Sequence, residues 1–177
     1  MKVLITGGLG QIGSHIAEML LDRGDKVMVI DNLATGRKEH LDYHENLQIV
    51  IDTISDKKLI DSLFSDFKPD AVVHTAASYK DPYDWYNDTL TNCVGGSNVI
   101  NASIENKVKR FIYFQTSLCY GLKPNEQPIT LEHPKFPAST SYAITKTANE
   151  DFLEISGLDF VTFRLANVIG PRNVAGP

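Results

Sequence analysis

The chain has 177 residues, of which 42% are hydrophobic and 22% charged, as expected for one soluble globular domain or slightly more than one. Its net charge of -5 argues against a non-specific nucleic-acid binder and a polybasic membrane-surface protein. Cys93 and Cys119 are too few for a disulfide framework or a four-cysteine zinc site, and no apolar run suits a signal peptide or bilayer span, so we expect a cytoplasmic protein.

Short β-branched runs alternate with longer helical patterns along the chain. The patterns predict strands at residues 2–6, 26–30, 47–51, 71–74, 110–114 and 160–165, and helices at 11–23, 56–67, 88–106 and 141–155. Gly24 stands where the first helix should end, and Pro69 closes the second. Strands joined by helices predict an α/β fold, a doubly wound parallel sheet with helices on both faces.

The turn after the first strand reads Thr6-Gly7-Gly8-Leu9-Gly10-Gln11-Ile12-Gly13. Glycines let backbone N–H groups approach a pyrophosphate, toward which the following helix points its positive end. Asp31 ends the next strand, where a carboxylate can accept hydrogen bonds from an adenine ribose. A carboxylate there would repel the 2'-phosphate of NADP and favours NAD, although Arg37 or Lys38 could neutralise that phosphate.

Tyr142 and Lys146 lie four residues apart, which places a phenol and an ammonium on one face of the last predicted helix. Tyrosine titrates near pH 10, so a tyrosine base needs a pKa lowered by roughly 3 units, or about 4 kcal/mol. A neighbouring lysine cation, helped by an oxidised nicotinamide, can supply much of that free energy. Taken alone, a tyrosine and a lysine at this spacing are more often a chance feature of a surface helix.

These motifs, with five further segments in the same order, resemble the extended short-chain dehydrogenase/reductase family. The closest resemblance is to its nucleotide-sugar epimerase/dehydratase group of the bacterial surface-polysaccharide type. The five segments are Asp31-Asn32-Leu33-Ala34-Thr35-Gly36, His74-Thr75-Ala76-Ala77, Asn92-Cys93-Val94-Gly95, Thr116-Ser117-Leu118-Cys119-Tyr120-Gly121 and Arg164-Leu165-Ala166-Asn167-Val168-Ile169-Gly170-Pro171. The resemblance implies that residues 1–177 form an NAD-binding Rossmann domain of strand order 3-2-1-4-5-6, with a substrate domain beyond Pro177.

The resemblance also implies a set of cofactor contacts. After the third strand the family usually carries Gly-Asp and an apolar residue, whereas this chain has Ile51-Asp52-Thr53-Ile54, which leaves the register open. Alignment of Ile54 and Leu59 with the family's apolar positions puts Thr53 at the adenine-contacting position. The predicted NAD contacts are Gly7, Gly10, Gln11, Ile12, Gly13, Asp31, Asn32, Thr35, Gly36, Thr53, Ile54, Thr75, Ala76, Ala77, Tyr79, Asn92, Tyr142, Lys146, Leu165 and Val168.

By the same resemblance the substrate is a nucleotide sugar, contacted by Thr116, Tyr142 and Asn167. Tyr142, as a phenolate, would take the proton of a sugar hydroxyl while hydride passes to NAD, and the keto sugar would be reduced on its other face. Lys146 would hold the nicotinamide ribose and lower the Tyr142 pKa, and Thr116, or its neighbour Ser117, would bind the substrate oxygen. Asn92 would brace the catalytic group. These roles describe an epimerase.

A nucleotide-sugar dehydratase, a net-redox sugar dehydrogenase or reductase, and a non-catalytic NAD-binding protein are the alternatives. The dehydratases that the chain resembles carry an Asp-Glu pair after the threonine, which supplies the additional acid and base that elimination needs. Here Ser117 and Leu118 follow, and Glu126 and Glu132 are the nearby carboxylates in the sequence. The absence of that pair favours an epimerase.

The remaining expectations concern the other histidines, the aromatic segment and the quaternary structure. His74 is expected to be structural, and the other histidines have no metal-binding spacing, so no metal is predicted. Residues 79–86 are rich in aromatic and charged side chains and suit a lid over the site, or a partly buried loop, better than a single-stranded nucleic-acid surface. We expect a homodimer through the helices of Asn92 and Tyr142, helped by Ala143, Ala148 and Phe152, and no nucleic-acid or membrane partner.

Overall fold

The computed structural model describes residues 1–173, and its six strands form one parallel sheet. The strands are β1 (Lys2–Thr6), β2 (Lys26–Asp31), β3 (Leu47–Ile51), β4 (Ala71–His74), β5 (Arg110–Thr116) and β6 (Phe160–Leu165). Their order is β3-β2-β1-β4-β5-β6, which confirms the predicted doubly wound α/β fold. The order reverses between β1 and β4, where such sheets open a crevice for ligands. The last four residues of the predicted 1–177 domain, and the substrate domain expected beyond Pro177, lie outside the described residues.

Helices cover both faces of the sheet. They are α1 (Gln11–Asp22), α2 (Lys57–Phe67), α3 (Trp85–Asp88), α4 (Gly96–Glu105) and α5 (Ser141–Ser156), with 3-10 turns at Lys38–His40 and Ser117–Tyr120. Gly24 follows α1 with φ +86°, a left-handed conformation that suits glycine, so its predicted role as a helix stop is confirmed. Asp56 caps α2 by accepting a hydrogen bond from the Leu59 N–H at 3.1 Å.

The long helix differs from its predicted range of 88–106. It begins three residues earlier, because Asp84 caps α3 by accepting a hydrogen bond from the Asn87 N–H at 3.1 Å. Trp85 and Tyr86, expected in a loop, are therefore helical. A π turn (Thr89–Gly95) then joins α3 to α4, and hydrophobic periodicity gives no sign of it.

Strand β5 is two residues longer than predicted. The predicted strand stopped at Phe114 because polar residues follow, yet Gln115 and Thr116 pair with β6 opposite Arg164 and Leu165. The added length carries Thr116 to the edge of the crevice.

Alternating side chains of the central strands pack into two hydrophobic clusters, one on each face of the sheet. The residues of β1 show this alternation, because Leu4 packs in one cluster while Val3 and Ile5 pack in the other. Gly96 lies directly against Asn149, where a side chain would not fit, so α4 and α5 pack closely. Within residues 1–173 no helix combines the length and apolar character needed to cross a membrane.

Candidate active site

A cleft of about 710 Å³ opens at the carboxyl ends of the strands. Because parallel strands all end at the same edge, residues distant in sequence meet there. All predicted site residues except Gly36 and Asn92 line it. They are Gly7, Gly10, Gln11, Ile12, Gly13, Asp31, Asn32, Thr35, Thr53, Ile54, Thr75, Ala76, Ala77, Tyr79, Thr116, Tyr142, Lys146, Leu165, Asn167 and Val168.

The loop between β1 and α1 is built for close approach of a ligand to its backbone. Gly7 has φ +68°, and a Cβ on it would lie 2.7 Å from the backbone of Ala76. A Cβ on Gly13 would lie 2.7 Å from the Cα of Gly8, so neither position has room for a side chain. Among the described residues no side chain caps α1 at Gly10, which leaves its first N–H groups facing the cleft. This cradle fits the pyrophosphate of a dinucleotide.

Asp31 is fixed at the other end of that cradle. Its carboxylate is buried and accepts hydrogen bonds from the Leu9 N–H at 3.0 Å and the Leu33 N–H at 2.8 Å. Gly36 was predicted to contact the cofactor, but it packs behind this carboxylate, where a Cβ would lie 2.7 Å from Oδ1. Arg37 and Lys38 are exposed and do not line the cleft.

The segment after β3, whose register the sequence left open, contributes three consecutive residues to the cleft: Asp52, Thr53 and Ile54. The Asp52 carboxylate accepts a hydrogen bond from the Thr53 N–H at 2.7 Å. Ile54 is 4% exposed and also belongs to the hydrophobic core. Both predicted contacts therefore lie at the cleft, with Asp52 beside them.

Tyr142, Lys146 and Thr116 meet at the opposite end of the cleft. Thr140 caps α5 by accepting a hydrogen bond from the Ala143 N–H at 3.1 Å, so Tyr142 lies in the first turn and Lys146 one turn further on. Ser117, the rival of Thr116, also lines the cleft. The Thr116 hydroxyl, however, is the one that lies against the Tyr142 phenol and lowers its pKa.

Burial raises the pKa of Tyr142 to about 12, with a further increase from Tyr79 and Asp88 that outweighs the lowering by Thr116. Burial lowers the pKa of Lys146 to about 7, and the Glu150 carboxylate acts in the opposite direction. The Tyr-x-x-x-Lys spacing predicted a lowered pKa for Tyr142, but in the protein without cofactor this pKa is raised. The physical reason is that burial dominates, while the Lys146 ammonium lies 4.2 Å from the centre of the Tyr113 ring.

Asn92 lies behind the site and not in it. It is 1% exposed, and its Nδ2 donates to the Ser78 carbonyl and to the Thr145 hydroxyl, each at 3.0 Å. Its Oδ1 accepts from the Ser78 N–H at 2.9 Å. Asn92 therefore joins the segment after β4 to α5, as a bracing role requires, and it does not line the cleft.

The cleft also contains charged groups that the sequence interpretation missed. Glu126 and Glu132 were the carboxylates considered, yet both are exposed and lie away from the cleft, whereas Asp81 and Asp84 line it. The dense charges of residues 79–86 were the available signal. Of the aromatic residues in that segment Tyr79 lines the cleft, with its ring centre 6.1 Å from that of Tyr142. The others, Tyr83, Trp85 and Tyr86, are largely exposed.

His74 supports the site from within the sheet. It is 1% exposed, its Nδ1 shares a hydrogen bond of 2.6 Å with the Thr6 hydroxyl, and its ring stacks on Tyr113. Its Nε2 lies 3.4 Å from the side-chain amide of Asn149. Burial, followed by the charge of Lys146, lowers the pKa of His74 to about 3. The structure thus gives His74 a structural role.

We expect His74 to make folding sensitive to acid. Because its folded pKa lies below the unfolded value near 6.5, its stabilising contribution is complete above pH 6.5 and declines as the pH falls toward 3. Between pH 7.5 and 4.5 this loss amounts to about 3 kcal/mol of the free energy of unfolding. Urea unfolding at both pH values should show a smaller loss for His74→Gln than for the parent. His15→Gln, which removes a partly exposed imidazole, is the control, and equal losses in the parent and His74→Gln would contradict the prediction.

Comparisons with known proteins agree with this geometry. The chain is 33% identical over 180 residues to the UDP-glucose 4-epimerase of Halalkalibacterium halodurans, covering 96% of this chain and 52% of that protein. It is 34% identical over 191 residues to the UDP-N-acetyl-alpha-D-glucosaminuronate decarboxylase of Bacillus cytotoxicus, covering 99% and 57%. The crystal structure of the Bordetella bronchiseptica enzyme WbmH in complex with NAD+ matches 99% of this chain and 59% of that chain, with a TM-score of 0.97 and 70% identity.

The chain thus spans about half the length of the curated relatives it matches. Residues 3–176 match the family described as the NAD dependent epimerase/dehydratase family. The match covers nearly the whole chain, and the cleft contains the glycine turn and the tyrosine and lysine on which the resemblance was based. The chain therefore belongs to the NAD-dependent epimerase/dehydratase family.

Proposed function

We propose that this chain is the cofactor-binding part of an NAD-dependent nucleotide-sugar 4-epimerase. The observation that carries the proposal is that one cleft joins a pyrophosphate cradle and Asp31 at one end to Thr116, Tyr142 and Lys146 at the other. The similarity to WbmH, whose crystal structure contains NAD+, supports NAD as the cofactor. The similarity to a UDP-glucose 4-epimerase supports a UDP-sugar as the substrate.

Each side chain at the catalytic end has a role that its position supports. Bound NAD would supply a hydride acceptor for the sugar carbon and a positive charge that favours a phenolate. Tyr142 would move the proton of the C4 hydroxyl, and the Thr116 hydroxyl would hold the same oxygen. Lys146, buried one helical turn from Tyr142, would donate hydrogen bonds to the nicotinamide ribose. Asn167, which lines the cleft after β6, would contact the sugar.

The carboxylates of the cleft favour epimerisation over elimination of water. Ser117 and Leu118 line the cleft beside Thr116, where the related dehydratases would carry an acid pair. Asp84 is a poor proton donor, because hydrogen bonds from the Asn87 side chain and backbone hold its pKa below the usual range. The Asp81 carboxylate accepts a hydrogen bond from the Tyr83 N–H at 2.9 Å, which stabilises the turn at these residues.

The product formed from sugar nucleotides tests this proposal. The full-length protein with NAD should convert a UDP- or dTDP-sugar into its 4-epimer, detected by proton NMR, with no net formation of NADH and no loss of water or carbon dioxide. Tyr142→Phe is the inactive control for the same assay. A 4-keto-6-deoxy product, one water lighter than its substrate, would identify a dehydratase, and net NADH would identify a dehydrogenase. Either result would contradict the epimerase.

A homodimer through the π turn, α4 and α5 is also proposed, together with a cytoplasmic location. The exposed apolar side chains of Val94, Ile144 and Phe152 on these elements support the dimer. Ala143, expected on the same surface, is fully buried within the chain and cannot take part.

A further inference from the structure

A second tyrosine, Tyr113 on β5, contacts both ends of Lys146. It is 0% exposed and does not line the cleft. Its hydroxyl donates a hydrogen bond to the backbone carbonyl of Lys146 at 2.9 Å. The Lys146 ammonium lies 4.2 Å from the centre of the same ring, within the range of a cation–π interaction.

Gln115, two residues further along β5 and on the same face, donates a hydrogen bond to the same carbonyl. Its Nε2 donates to the Lys146 carbonyl at 3.1 Å and to the Glu150 carboxylate at 3.0 Å. Its Oε1 accepts from the Thr116 N–H at 2.8 Å, so the partners leave one possible orientation for the amide. Side chains of β5 thus hold the backbone of Lys146 in a fixed relation to Thr116, the next residue of the strand.

We propose that Tyr113 is a positioning residue for Lys146, fixing its backbone through the phenol hydroxyl and stabilising its cation through the ring. The proposal rests on the proposed function, in which Lys146 must meet a nicotinamide ribose from a defined position. It adds to that function a residue outside the cleft that governs both the place and the charge of the lysine.

The groups around Lys146 make the ring important for its charge. From β4, His74 is neutral, because its pKa is lowered to about 3, and from the π turn Cys93 is held as a thiol by a raised pKa. From α5, Tyr142 is a neutral phenol and Glu150 is a carboxylate. Glu150 is already paired with Arg164 of β6, at 2.8 and 3.1 Å, and with Gln115. Burial therefore disfavours the ammonium, and the electron-rich face of Tyr113 is in direct contact with it.

The titration of Lys146 tests the ring directly and requires neither cofactor nor turnover. Full-length protein labelled with ¹³C at lysine Cε would be titrated by NMR, with Lys146→Met to assign the signal. Tyr113→Leu should lower the pKa of Lys146 by about one unit relative to the parent, since a buried cation–π contact is lost. Tyr113→Phe keeps the ring and should titrate close to the parent.

Phe111→Leu is the matched control, because Phe111 is equally buried, lies two residues earlier on β5 and also contacts His74. Its free energy of unfolding should fall by about as much as that of Tyr113→Leu, while the pKa of Lys146 should stay at the parent value. The role of the ring is refuted if the pKa of Lys146 in Tyr113→Leu equals that of the parent. It is also refuted if Phe111→Leu shifts this pKa as much as Tyr113→Leu does.

The hydroxyl is tested by turnover. Tyr113→Phe should reduce kcat about tenfold with little change in the KM for the sugar, because the Lys146 backbone keeps the ring contact but loses one of its two hydrogen bonds from β5, and looser positioning affects the reacting geometry more than substrate binding. An unchanged kcat would refute the role of the hydroxyl. If the parent has no epimerase activity, the proposed function fails, and the NMR titration still decides whether Tyr113 stabilises the Lys146 cation.

Discussion

Replacement of Tyr142 by phenylalanine is expected to reduce turnover about a thousandfold while NAD remains bound. The substitution removes the oxygen that carries the proton and keeps the ring, which packs 6.1 Å from Tyr79. A positioned acid–base group contributes roughly 10²–10⁴-fold to a rate, which sets the expected loss. The measurement is kcat on the sugar identified by the NMR assay, with NAD content determined on the same samples.

Tyr43→Phe is the control for removal of a phenol oxygen, because Tyr43 is 95% exposed and lies outside the cleft. It should turn over at the parent rate. Turnover of Tyr142→Phe within a few-fold of the parent would remove Tyr142 from the mechanism.

NAD is expected to bind about 100-fold more tightly than NADP, and Asp31 is the reason. Its buried carboxylate is held by two backbone N–H groups, so it cannot move away from a 2'-phosphate. A 100-fold preference corresponds to about 2.7 kcal/mol, well within the cost of opposing two like charges at close range. Calorimetric titration with both cofactors measures the ratio, and Asp31→Ser should reduce it by weakening NAD and strengthening NADP.

Arg37→Ala tests the alternative that a cation neutralises the 2'-phosphate. Because Arg37 is exposed and does not line the cleft, both affinities should stay at the parent values. Comparable binding of NAD and NADP to the parent protein would contradict the role given to Asp31.

The sheet and most of the cleft were predictable because they depend on local signals. Buried parallel strands are short β-branched runs, and the turn after β1 needs glycines wherever the backbone approaches itself, as Gly13 does beside Gly8. The ends of parallel strands then bring Asp31 and Thr116 to one edge whatever their separation in sequence, and α5 begins beside that edge with Tyr142 in its first turn. Membership of the family followed from the order of these motifs.

What could not be predicted depends on how side chains pack in three dimensions. Asn92 and Gly36 do not line the cleft, because whether a residue faces the cleft or braces a neighbour depends on contacts with other elements. The pKa of Tyr142 depends on its burial, which the Tyr-x-x-x-Lys spacing does not contain. Asp81 and Asp84 line the cleft together with Tyr79, Lys80 and Asn87, an arrangement that no hydrophobic period in this segment indicates.

The π turn has a consequence for the register between two helices. Asp88 accepts a hydrogen bond from Ser141, Asn92 bonds to Thr145, and Gly96 packs on Asn149, three rungs at four-residue steps in both partners. The π turn has a different rotation per residue from an α-helix, so it sets which sides of Asp88 and Gly96 face α5. A single-residue insertion or deletion between these rungs would rotate some of these contacts away from α5, and Tyr142 would lose part of the support that its helix receives.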